Sequence, residues 1–110
     1  MYREFPMYLC TMDQVDIFKA LSNKTRLSIL EWLKDPEAHF PDHESHMHEG
    51  GVCVGAIQQK AGVTQSTVSE YLSLLQRTGL VESNRVGQWT YYKRNEGAFQ
   101  QLKDLINKEL

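Results

Sequence analysis

KAGVTQSTVSEYLSLLQRTGLV, residues 60–81, holds two helical patterns parted by a glycine. Gly62 supplies the left-handed backbone that a tight turn between two helices needs. Val63 is the apolar residue that pins such a turn onto a core. Thr64 carries the side chain of a helix N-cap, and Val68, Leu72 and Leu75 recur at helical spacing with Leu74 beside them. A second helix therefore begins at Thr64 and buries one stripe. Gly79 follows the last apolar turn and closes it. The first turn is polar: Gln65, Ser66, Thr67 and Ser69 put short hydrogen-bonding groups where a helix-turn-helix reaches base edges in a major groove. Glu70 repels phosphate but can accept from a cytosine amino group, and Arg77 adds a cation at the far end.

The segment that follows, LVESNRVGQWTYYKR at 80–94, predicts two strands around a turn at Val86–Gly87–Gln88. Arg85, Gln88 and Lys93 are its candidate DNA contacts, with Arg94 adding to the local positive charge. Upstream, Val15, Phe18 and Leu21 at spacing three, with Ile17 beside them, predict a helix over 12–21. Ser22 and Asn23 cap the next, whose apolar surface is Leu27, Ile29, Leu30, Trp32 and Leu33 and which Pro36 ends. Val52 to Ala61 reads as the support helix, and Ala98 to Leu110 as a last helix with Phe99, Leu102, Leu105 and Ile106 on one side. The expectation is one mainly α domain over 1–110 with a small β-hairpin: five helices plus a two-stranded wing. Its parts are an insertion at 35–51, a helix-turn-helix at 52–79 and a wing at 80–94.

These segments in this order resemble the ArsR/SmtB family of winged-helix repressors. The residues that carry the resemblance are FKALSNKTRLSILEWL at 18–33, VCVGAI at 52–57, GVTQSTVSEYLSLLQRTGLV at 62–81 and GQWTYYKR at 87–94. The resemblance implies a homodimeric, cytoplasmic repressor on a near-palindromic double-stranded operator, paired through its first and last helices and released by an effector. Phe18, Leu21, Phe99, Leu102 and Ile106 are the residues expected to line that interface or lie just beneath it. Apolar stripes on two outer helices need a partner in any case. Tyr71 stands where the family often carries His.

The net charge of −2 does not mark a nucleic-acid binder, but its distribution does. From Lys60 to Arg94 five cations face two carboxylates, whereas from Asp35 to Gly51 there are five carboxylates and no Lys or Arg. A basic reading head with the acid elsewhere is what phosphate contact requires. No run is long enough to span a membrane, the first residues lack the layout of a signal peptide, and two cysteines make no disulfide framework. No nucleophile motif, phosphate loop or paired-carboxylate pattern points to an enzyme. The other class of function left open is a winged-helix module that binds protein; the cations and the polar first turn favour DNA.

All four histidines lie in the insertion, at 39, 43, 46 and 48, among Asp42, Glu44 and Glu49, and Cys53 follows. Imidazole, carboxylate and thiolate suit zinc and related divalent ions. His43, His46, His48 and Cys53 are the candidate ligands of an optional metal effector; no cofactor is required. Within the resemblance, Cys53 falls on the first cysteine of the family's thiolate motif, Gly55 stands where thiol-rich members have a second, and Cys10 is a further candidate thiolate or redox partner from the N-terminal arm. The family's other metal site, on the last helix, has no counterpart, because 95–110 contains no His. The bland alternative is a solvated acidic loop with Cys53 packed as a small apolar residue.

Overall fold

Order along this chain comes from a few local signals locked by a shared core. The computed structural model describes residues 14–41 and 47–110; Cys10, His43 and His46, with Met12 at the start of the predicted first helix, lie outside the described residues. The described elements are α1 (Gln14–Leu21), α2 (Lys24–Lys34), α3 (Pro36–His39), β1 (Met47–His48), β2 (Gly51–Cys53), α4 (Val54–Ala61), α5 (Gln65–Arg77), β3 (Val81–Val86), β4 (Trp89–Arg94) and α6 (Glu96–Glu109).

Each helix boundary has a chemical cause. Asn23 caps α2 by accepting from the Arg26 backbone N–H at 3.0 Å. Asp35 ends α2, and Pro36 then opens α3 from its first position, where a missing N–H costs nothing. Asn95 caps α6 by accepting from Ala98 N–H at 3.2 Å. The α4–α5 turn closes through Gly62, at φ 71, whose N–H donates to the Gln58 carbonyl. At the other end of α5, Thr78 is the cap and Gly79, at φ 86, turns the chain away. Gly79 N–H donates to the Gln76 carbonyl and Leu80 N–H to that of Leu75, the paired bonds of a Schellman motif. Leu75 and Leu80, which flank those bonds, are both fully buried.

The core gathers Ile17 and Ala20 of α1, Ile29, Leu30 and Leu33 of α2, Ala56 and Ile57 of α4, Val68, Leu72 and Leu75 of α5, and Ala98 and Leu102 of α6. Burying Val68, Leu72 and Leu75 contributes about 2 kcal/mol each. That outweighs the modest helix propensity of the Ser and Thr in the first turn of α5. Leu27, expected on the apolar face of α2, is half exposed.

Two expectations need correction. The wing is a hairpin, but it belongs to a four-stranded antiparallel sheet of order β1-β2-β4-β3, and the described helices are six, counting the single turn of α3. The support helix begins at Val54, because Gly51–Cys53 is spent as a strand: Val52 pairs with Tyr92 and Cys53 with Tyr91. The second half of the insertion is accordingly not a free loop. His48 pairs with Gly51 across a two-residue turn, with Glu49 at φ 51 and Gly50 at φ 84, the left-handed pair that a tight hairpin favours. The first half is tied down by Phe40, buried edge-on against Trp32 at a centroid distance of 6.3 Å.

Candidate nucleic-acid interface

The first turn of α5 is pre-shaped before any ligand arrives. Thr64 Oγ1 accepts from Thr67 N–H at 3.2 Å while its hydroxyl donates to Thr67 Oγ1 at 2.8 Å. Gln65, Ser66, Ser69 and Glu70 are exposed on this turn and Thr67 is half-buried. The opposite face carries the buried Val68, Leu72 and Leu75. The polar turn is thus a rigid outer surface, and the helix N-terminus adds a partial positive charge toward phosphate. Gln58 Nε2 donates to the Val63 carbonyl at 3.4 Å, and Val63 packs against the core, so α4 and the turn hold α5 in place.

The wing is fixed to the same helix. Gln76 Nε2 donates to Ser83 Oγ at 3.0 Å, bridging α5 and β3. Val86 pairs with Trp89, leaving Gly87–Gln88 as a two-residue turn with Gly87 at φ 64. Arg85 folds its Nε onto the Gly87 carbonyl at 3.2 Å, which holds a cation at the tip. Every residue from Glu82 to Trp89 is exposed, Arg85 and Gln88 among them, as are Arg77 on α5 and Lys93 on β4. Lys93 stands directly across from Glu82 in the ladder, so its charge is partly offset.

Arg94 does not belong to this surface. Its Nε lies 3.0 Å from Glu96 Oε2 and its guanidinium rests 3.6 Å above the Phe99 ring, which joins the wing base to α6. Sequence counting placed it with the phosphate-facing cations, although Glu96 stands only two residues on. Arg26 of α2, not singled out from sequence, makes the matching link to α1, the other outer helix. It donates through Nε to the Ala20 carbonyl at 2.6 Å and through Nη2 to the Lys19 carbonyl at 3.1 Å, with Tyr71 of α5 under its guanidinium at 5.2 Å.

On the outer helices, Phe18, Leu21 and Phe99 are half-buried, Leu102 is buried within its own core, and Ile106 is 42% exposed. Of the candidate metal ligands, only Cys53 has a described side chain. It is 3% exposed and part of the core.

A helix-turn-helix with a capped, polar, outward first turn and a hairpin bonded to the reading helix defines a winged helix-turn-helix DNA-binding protein. The comparisons agree. The family model of the IclR helix-turn-helix domain matches residues 47–85, the helix-turn-helix and the start of the wing. Over 100 residues the chain is 49% identical to the uncharacterized HTH-type transcriptional regulator YbzH of Bacillus subtilis (strain 168), covering 90% of this chain and all of that one. It is 29% identical to the arsenical resistance operon repressor of the same organism, over 84% of this chain and 73% of the relative. Among solved structures, it aligns with a TM-score of 0.59 and 29% identity to the homodimeric winged helix-turn-helix DNA-binding domain Mb0332 from Mycobacterium bovis, described as a possible ArsR-family transcriptional regulator. That alignment covers 87% of this chain and 80% of the other. The chain belongs to the ArsR family of winged helix-turn-helix transcriptional regulators. Among the described residues no helix is long and apolar enough to cross a membrane.

Proposed function

We propose that the chain is a homodimeric, cytoplasmic repressor that occupies a near-palindromic operator and is released by an effector, without catalysis of its own. One observation carries the reading. The first turn of α5 offers Thr64, Gln65, Ser66, Thr67, Ser69 and Glu70 on a surface held rigid by a buried stripe. Gln65 and Thr67 read base edges in the major groove; Arg77, Arg85, Gln88 and Lys93 meet the backbone. Two copies, joined through α1 and α6 over Phe18, Leu21, Phe99 and Ile106 with Leu102 beneath, set their α5 helices one helical turn of DNA apart, about 34 Å. The homodimeric neighbour supports this assembly. No cofactor is required for the DNA-bound form.

The test is selection of duplexes from a random-sequence library by the purified protein, with sedimentation of the complex. Enrichment of a near-palindrome bound by two copies supports the reading. A protein that enriches no sequence is instead a protein-binding winged helix.

A further inference from the structure

The wing ends in an apolar pair. Val86 and Trp89 are direct cross-strand partners, so their side chains share one face of the hairpin. They are 39% and 50% exposed, at the end of a ribbon in which every residue from Glu82 onward is exposed. β3 leaves the core at the buried Val81, and five further residues carry the tip about 17 Å outward. Half of the indole surface stays in water, so folding uses only part of what its burial could supply.

The charge around the tip selects its partner. From Ser83 to Tyr92 there is no carboxylate, and the one cation is Arg85. Arg85 is folded over the turn carbonyl beside the apolar pair. A second copy of this strand is a poor partner, since the outer edge of the sheet is β3, which carries Glu82 and Arg85 and resists strand pairing. Paired strands lie about 4.8 Å apart before their side chains are counted, so the ribbon cannot enter a minor groove about 6 Å wide. Single side chains at its tip can.

We infer that Trp89, with Val86 beside it, is a minor-groove wedge: the wing tip sets the indole against deoxyribose and base edges of the bound duplex while Arg85 holds the flanking phosphate. This rests on the DNA-binding function proposed above and adds a contact to it. Apolar side chains placed this way open or kink a base step, so the wedge favours flexible steps where the wing lands. The preference then appears at operator positions outside those that α5 touches.

The test uses Trp32→Phe protein, in which Trp89 is the remaining tryptophan. The probe is the tightest duplex recovered from the random library. Acrylamide quenching of Trp89 emission falls severalfold when the complex forms. In the wild-type background, Trp89→Ala weakens binding to the full duplex about tenfold, while a duplex trimmed to the base pairs under α5 shows no such penalty. Unchanged quenching in a complex that a mobility shift shows to be fully formed overturns the wedge and leaves DNA binding standing. Quenching that falls with protein concentration alone assigns the tip to a second copy, and also overturns it. Failure to recover any enriched duplex removes the proposed function, and the wedge with it.

Discussion

Replacing Arg26 by Ala tests how an outer helix is joined to the reading helix. The substitution leaves the Asn23 cap in place, because Asn23 accepts from the backbone N–H of residue 26. It removes the Nε donor at 2.6 Å from the Ala20 carbonyl, in a residue that is fully buried. A charge-assisted bond of that kind contributes about 1.5–2 kcal/mol. The Lys19 carbonyl also loses Nη2, but it keeps the Ser22 N–H at 3.1 Å, so that loss adds little. Losing the cation over Tyr71 at 5.2 Å costs about 0.5–1 kcal/mol. The sum is about 2–3 kcal/mol. Urea unfolding at one fixed protein concentration should show it as a lower midpoint with an unchanged slope. Arg26→Lys keeps the charge but not the fork, and should recover about half. Destabilisation below about 0.5 kcal/mol would mean that α1 is held to α5 by apolar packing alone, and the argument from Arg26 would be wrong.

Three further outcomes follow from the same geometry. Arg85→Ala should weaken binding to all duplexes alike and lower the salt slope by about one unit; an unchanged slope takes the tip cation off the phosphates. Ile106→Glu, at an exposed position of α6, should give a folded monomer by sedimentation that binds the selected duplex weakly, whereas Leu102→Glu would report on folding because Leu102 is buried. A dimer that survives Ile106→Glu would move the interface elsewhere. The variant carrying His43→Gln, His46→Gln and His48→Gln should bind operator as wild type does, with or without zinc. A zinc response that this variant loses would make the insertion a sensor.

The parts legible in the sequence were those set by neighbours a few residues away. Thr64, Gly62 and the spacing of Val68, Leu72 and Leu75 announced α5, and the structure places the cap and buried stripe accordingly. Gly87 announced the hairpin. The strand at Gly51–Cys53 was not legible, because it is three residues long and flows directly into α4. Only pairing with Tyr91 and Tyr92, nearly forty positions away, makes it a strand. The preceding hairpin was masked by Glu49, a non-glycine residue in a left-handed conformation. Arg94 and Arg26 show the same limit for the candidate site. Charge is visible in sequence, but which way each guanidinium folds is not: Glu96, Phe99 and Ala20 are near in the chain, and only the bonds and the distant Tyr71 show that these two groups are claimed.

Base reading by the polar first turn of α5 is told apart from phosphate contact on two duplexes. The affinities of wild-type, Gln65→Ala and Thr67→Ala protein are measured by fluorescence anisotropy on the selected duplex and on an unrelated duplex, at one salt concentration. Each substitution should cost about 1–3 kcal/mol on the selected duplex and change little on the unrelated one. Equal losses on both duplexes would show that these side chains touch only the backbone, and would contradict it.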